Sequence, residues 1–145
     1  MNDSHYLALG KILYLMSETK KFKDRNLDKF RSILTPCISR NWYYIEQDIK
    51  TGKPTSICVW GFLNKESFEK FVESNGALVF NKNVFGNDVI VFTHFISNNG
   101  NGFKFLRKII NNLSYKNKNI KYAYGIRGFK DNSKLAKYIM PYYKK

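Results

Sequence analysis

The segment that decides the fold runs from residue 89 to residue 113 and reads VIVFTHFISNNGNGFKFLRKIINNL. It predicts a hydrophobic strand over Val89–Ile96 and a glycine-rich loop over Ser97–Gly102. A basic amphipathic helix is predicted next, because apolar residues recur every three to four positions up to Leu113. A strand that passes through glycines into a helix directs unpaired backbone N–H groups at one place, where an anion can bind. His94 lies in this strand, so we expect any catalytic site here.

The predicted helix has an apolar face and a basic face. The basic side chains are Lys104, Arg107 and Lys108, which either dock an acidic partner or form a solvated helix surface. The apolar face is expected to consist of Phe103, Leu106, Ile109, Ile110 and Leu113.

Local patterns elsewhere predict an α+β fold in one domain over residues 1–145, with a mixed, mostly antiparallel sheet flanked by helices. The elements expected, in chain order, are a helix capped by Asp3 or Ser4, a helix from Asn26 to Pro36, strands over 41–48 and 55–61, a helix capped by Asn64, a strand over 77–80, a strand over 120–127, and a last helix from Asp131 or Ser133 to Pro141.

Composition limits the class of protein. The net charge of +14 attracts polyanions, but 20 of the 25 basic residues are Lys, and no nucleic-acid motif accompanies them. Nucleic acid is therefore a disfavoured partner. Cys37 and Cys58 have no metal-ligand or redox spacing, so we assign no metal to the chain. No membrane-length apolar run or leader pattern is present, and we expect a cytoplasmic protein without a membrane span.

Four short motifs occur in a characteristic order: Leu9-Gly10, Pro36-Cys37-Ile38, Cys58-Val59-Trp60 and Gly100-Asn101-Gly102. Together they resemble the toxin-activating lysine acyltransferases. The resemblance implies a GNAT-like acyltransferase domain in a bacterial cytoplasmic enzyme. It also implies acyl carrier protein as the donor of a fatty acyl group and internal lysines of a pore-forming toxin as acceptors.

The sequence departs from the family pattern at the catalytic dyad. The family's histidine position falls on Phe22, and its strand aspartate position is occupied by His94. A small shift in the loop brings Asp24 to the histidine position, which gives an exchanged dyad: Asp24 orients His94, and His94 is the base. Alternatively, His94 packs in the strand and Asp24 is solvated.

Further residues are candidates for substrate binding. Gly100 and Gly102 are expected to stabilise developing negative charge through their N–H groups, with Asn99 beside them. Trp60 either lines an acyl pocket or belongs to the core.

The missing dyad favours a divergent branch of the family, which resembles siderophore-microcin maturation. There the chain and a second maturation protein would join the C-terminal carboxyl of a microcin precursor to a glucosylated catecholate siderophore. That branch implies ATP and magnesium, with no tightly bound cofactor. The alternatives are carrier-protein-dependent fatty acylation of toxin lysines and a non-catalytic structural or polyanion-binding subunit.

Overall fold

The structure is a computed structural model that describes residues 1–19, 27–76, 80, 83–127 and 134–145, apart from the side chains of residues 29 and 127. Over these ranges the chain forms four helices and five strands, which confirms the α+β class. The helices are α1 (Asp3–Glu18), α2 (Leu27–Ser39), α3 (Lys65–Glu73) and α4 (Gly102–Lys116), and the strands are β1 (Tyr43–Gln47), β2 (Pro54–Leu63), β3 (Val89–Ser97), β4 (Tyr122–Arg127) and β5 (Lys134–Ile139).

The five strands form one sheet in the order β1-β2-β3-β4-β5. The β3–β4 pair is parallel and the other three pairs are antiparallel, so the expected mixed, mostly antiparallel sheet is confirmed. Two adjacent parallel strands need a connection that crosses the sheet, and α4 provides it. This strand–loop–helix–strand unit is consistent with a GNAT-like domain.

The parallel pairing of β3 and β4 is short. It runs from Ile90–Ala123 to Phe92–Gly125 and ends there in the part of the chain that the structure describes, although β3 continues to Ser97. Residues 126 and 127, which follow the last β4 residue paired with β3, pair with β5. We call the place where β3 and β4 stop pairing, residues 93–97 and 126–127, the β3–β4 wedge.

The sheet separates two hydrophobic cores. One core lies under α1 and α2 and receives Ile57, Val59 and Val91 from the sheet. The other lies under α4 and contains Cys58, Trp60, Ile90, Phe92, Phe105, Ile109, Leu113, Ile120, Ala123 and Met140. Successive residues of β2 alternate between the two cores, as the two-residue period of a strand requires. Within the described ranges, no helix has the length and apolar character needed to cross a membrane.

The helix caps arise from local side chains. Asn64 caps α3 by accepting from the Ser67 backbone N–H at 2.8 Å, as predicted. The cap of α1 is Asn2 and not Asp3 or Ser4. Its side chain accepts from the His5 N–H at 3.0 Å, and the His5 ring accepts from the Asn2 N–H at 3.2 Å. This reciprocal pair satisfies two terminal N–H groups and gives His5 a structural role.

One predicted helix end and one predicted helix are wrong. Helix α2 continues through Pro36 to Ser39, because Leu34, Cys37 and Ile38 are fully buried and their packing offsets the hydrogen bond that proline cannot make. The predicted last helix is a strand: β5 pairs with β4 along its whole length. The apolar spacing of this segment fits either structure, and pairing with β4 decides between them. Residues 77–79 of the predicted strand over 77–80 lie outside the described residues.

The apolar face of α4 also differs from the prediction. Phe103 is 78% exposed, whereas Phe105 is only 2% exposed. The Phe105 ring lies 5.8 Å from the Tyr44 ring and 5.6 Å from the Phe95 ring, between β1 and β3. The buried row of α4 therefore follows Phe105, Ile109 and Leu113 at a spacing of four residues.

Candidate active site

His94 lies at an irregularity in β3. Val59 of β2 pairs with His94, but the next residue, Trp60, pairs with Phe92, so Thr93 is an extra residue in β3. Such a β-bulge breaks the strand alternation and turns the following side chains. The bulge lies directly after Phe92, the last β3 residue that pairs with β4. His94 is thereby placed beside the β3–β4 wedge.

The His94 side chain points toward the helical layer formed by α1 and α2. It is 6% exposed, and its ring centroid lies 5.6 Å from that of Phe30 in the first turn of α2. Its Nδ1 lies 3.0 Å from the Thr93 hydroxyl. His94 is therefore a buried imidazole at a bulge, in contact with the Phe30 ring and the Thr93 hydroxyl.

Asp24, the predicted partner of His94, lies outside the described residues, and so does Phe22. Both belong to the connection between α1, which ends at Glu18, and α2, which begins at Leu27. Phe30 follows this connection closely and contacts His94. The exchanged dyad thus stays a prediction.

The glycine loop is held by a short network around Asn99. The Asn99 carboxamide oxygen accepts from the Ser97 hydroxyl at 3.0 Å and from the Asn101 N–H at 3.1 Å. Gly100 has φ +78, a left-handed conformation that glycine adopts without strain. Asn101 precedes α4 without capping it through its side chain, and the first turn of α4 has no acidic residue. The Asn101 side chain therefore leaves the first N–H groups of α4 uncapped.

The structure does not bring the glycine loop and His94 to one point. Ser97, where the loop begins, lies about 10 Å along the strand from His94 at the usual rise per residue. A Cβ added to Gly102 would lie 4.0 Å from the Phe95 ring, which belongs to the core under α4. His94 faces the opposite layer. Gly100 and Gly102 therefore lie away from the His94 ring, on the side of α4.

Trp60 lies on the α4 side of the sheet and pairs with Phe92 at the start of the wedge. The side chain is 8% exposed, so it belongs mainly to the core. Its indole Nε1 is buried and has no hydrogen-bond partner among the residues described. A buried donor of this kind can bind a substrate carbonyl without losing a protein partner.

The basic residues of α4 have different surroundings. The Lys108 ammonium donates to the Tyr44 hydroxyl at 3.1 Å and lies 5.1 Å from the centroid of its ring. The hydrogen bond to Tyr44 raises the pKa of Lys108. Lys104 and Arg107 are exposed beside it on the first two turns of the helix. These two side chains can meet an acidic partner at the glycine-loop end of the sheet.

Neither cysteine has the properties of a nucleophile. Burial raises the pKa of the Cys37 thiol to about 12, and burial also raises the pKa of Cys58. Thiolate is the reactive form, so both thiols are inert near neutral pH. Among the described residues, no three or more histidine, cysteine or acidic side chains are grouped to hold a metal ion.

Three features of the site were not predicted from the sequence. Thr93 and Phe30 contact His94, but only the bulge and the packing of α2 reveal this. A cleft of about 330 Å³ also opens at the opposite end of β3 and β4. Aromatic residues in a predicted strand do not by themselves predict a cleft. It is lined by Lys65, Phe68, Asp88, Val89, Lys121, Tyr122 and Tyr124.

Comparison with known proteins identifies the family to which the chain belongs. No curated protein matches the chain. The model of the RTX toxin acyltransferase family matches residues 1–139. Members of this family modify toxins by acyl transfer, and the match gives no support to the siderophore-microcin branch or to its ATP and magnesium. With nearly all of its length matched, this chain belongs to the RTX toxin acyltransferase family.

Proposed function

We propose that this protein transfers a fatty acyl group from acyl carrier protein to an internal lysine of a pore-forming toxin. One observation carries the proposal: a buried imidazole, His94, lies at a bulge beside the place where two parallel strands stop pairing. An extended donor arm can pair with the strand edges exposed at such an opening, and the reaction needs a base beside it.

The transfer requires one proton to be moved. The lysine nitrogen attacks the thioester carbonyl, a C–N bond forms, the C–S bond breaks, and the sulfur leaves as a thiolate. His94 accepts the proton that the nitrogen loses and can return it to the thiolate. An imidazole suits both steps, because its unperturbed pKa lies near neutrality. Asp24 is proposed to stabilise the imidazolium, as in the exchanged dyad.

The carrier arm is proposed to enter along the β3–β4 wedge. An extended arm with amide groups can pair with the edge of a strand that has lost its neighbour. The glycine loop lies at the mouth of the wedge, where Gly100 and Gly102 let the backbone approach a phosphate and the N-terminus of α4 attracts it. In this arrangement Asn99 holds the loop, and Trp60 lines the acyl end of the site.

Lys104 and Arg107 are proposed to dock the acidic carrier protein. We expect the double substitution Lys104→Glu and Arg107→Glu to raise the KM for acyl carrier protein about tenfold at low salt and to leave kcat nearly unchanged. The reason is that exposed charges steer association and do not touch the reacting atoms. Initial rates at several carrier-protein and salt concentrations measure this effect.

A matched control is available at the other end of the sheet. Lys65→Glu with Lys121→Glu makes the same change in net charge, but these residues line the distant cleft. This control is expected to change the KM for acyl carrier protein much less than the double substitution in α4 does. Equal effects of the two double substitutions would show that net charge matters and that α4 is not the docking surface.

Reconstitution with purified components tests the proposed function. The full chain is mixed with acyl-loaded carrier protein and a toxin fragment containing an internal lysine, and intact mass is measured. We expect a mass gain of one acyl group on the toxin fragment, without ATP, magnesium or a second maturation protein. No gain with acyl carrier protein, together with ligation of a microcin C-terminal peptide when ATP, magnesium and a partner are added, would overturn the proposal.

A further inference from the structure

Thr93 and His94 are neighbours in sequence, yet their side chains are hydrogen-bonded. The His94 Nδ1 and the Thr93 Oγ1 lie 3.0 Å apart. In a regular strand, successive side chains point to opposite faces and cannot meet in this way. The bulge makes the contact possible, because Thr93 is the residue left without its own partner in β2.

The Thr93 hydroxyl has a second partner, which favours one direction for its bond to His94. A hydroxyl has only one hydrogen to donate. Thr93 donates it to the Val59 carbonyl across the β2–β3 ladder at 3.2 Å. With that hydrogen on Val59, the hydroxyl oxygen accepts from His94, an arrangement that places a hydrogen on Nδ1 and makes Nε2 the basic nitrogen.

We propose that Thr93 is a positioning residue that holds His94 in the Nδ1–H tautomer and sets the direction of its Nε2. In this arrangement Thr93 orients the ring through Nδ1, and Asp24 keeps its proposed role of stabilising the imidazolium. The catalytic meaning of this inference rests on the proposed function, whereas the tautomer itself does not.

His5 provides an internal comparison for the test, since the chain contains only two histidines. The His5 Nδ1 accepts from the Asn2 backbone N–H at 3.2 Å, so its hydrogen lies on Nε2, which donates to the Asn41 side chain at 2.9 Å. The two rings are therefore expected to be opposite tautomers. A single ¹⁵N spectrum of the histidine rings reports both.

The experiment uses full-length protein with ¹⁵N-labelled histidine at a pH where both rings are neutral, and His5→Asn assigns the signals. We expect His94 to show a protonated Nδ1 and an unprotonated Nε2. Thr93→Val removes the hydroxyl at similar volume and is expected to shift the His94 signals toward the Nε2–H form. Thr93→Ser is expected to restore them, and the His5 signals stay constant throughout.

Kinetics test the catalytic part of the inference. Thr93→Val is expected to lower kcat about tenfold with little change in KM, and Thr93→Ser is expected to recover it. Thr55→Val is the matched control, because it removes a comparable bond from a strand threonine to the Glu46 carbonyl at 3.3 Å. It should change neither the His94 signals nor kcat.

The outcomes separate this inference from the proposed function. An Nε2–H tautomer of His94 in the unmodified protein, or unchanged ring signals in Thr93→Val, overturns the inference whatever the activity. A tautomer change without any change in kcat overturns the positioning role. If His94→Asn keeps its activity, the proposed base is wrong, but the ring signals still decide which tautomer Thr93 holds.

Discussion

Replacing His94 by Asn is expected to lower the kcat of acyl transfer by about 100-fold or more. Asparagine keeps a polar side chain of similar reach beside Thr93 but has no group that accepts a proton near neutral pH. The amine must then lose its proton to water. Initial rates of toxin acylation at saturating donor, read by mass spectrometry, measure the loss.

His5→Asn is the matched control for this substitution. It removes one side of the α1 capping box and the contact with Asn41, so we expect the protein to lose about 1 kcal/mol of stability and to keep its kcat. Thermal unfolding of both variants separates loss of fold from loss of chemistry. A His94→Asn enzyme with full kcat would contradict the proposed base and favour a role for His94 in packing.

Substituting Gly86 by Ala is expected to destabilise the protein by about 2 kcal/mol. An added Cβ would lie 2.8 Å from the Asn64 Cβ and 2.9 Å from its Cα and backbone N. Backbone atoms cannot move aside as a flexible side chain can. Asn64 also caps α3 and donates to the Asn83 carbonyl at 3.1 Å, so the displacement disturbs the start of the helix. The free energy of unfolding, measured with denaturant, checks this prediction.

Gly10→Ala gives the opposite expectation for the same chemical change. Gly10 lies inside α1, and apart from its chain neighbours and the α1 backbone no heavy atom of the described residues lies within 4 Å of an added Cβ. Alanine favours the helix over glycine by about 0.5 to 1 kcal/mol, so stability should rise. If Gly86→Ala also raised stability, the close approach of residue 86 to Asn64 would be contradicted.

Local signals account for the parts of the fold that the sequence predicted correctly. The strand–loop–helix segment is confirmed as β3 and α4, and the predicted strands over 41–48 and 55–61 are confirmed as β1 and β2. The cap at Asn64 is confirmed as well. Each of these depends on residues only a few positions apart, which is the range over which periodicity and capping act.

Long-range contacts account for the errors. The segment over 134–139 has apolar residues at positions that suit a helix, but its hydrogen-bond partners are in β4. Phe105 replaces Phe103 on the buried face of α4 because Tyr44 and Phe95 surround its ring. These partners come from other strands, so no local window contains them.

For the candidate site, too, some features follow from the sequence and others only from the tertiary structure. The sequence alone determined the strand with its histidine, the glycine loop, the basic helix and the resemblance to a family of toxin acyltransferases. Only the tertiary structure decided that β3 carries a bulge at Thr93, that His94 turns toward Phe30, and that β3 and β4 stop pairing beside it. The physical reason is that the register between strands sets which face a side chain occupies, and register depends on residues far apart in the chain.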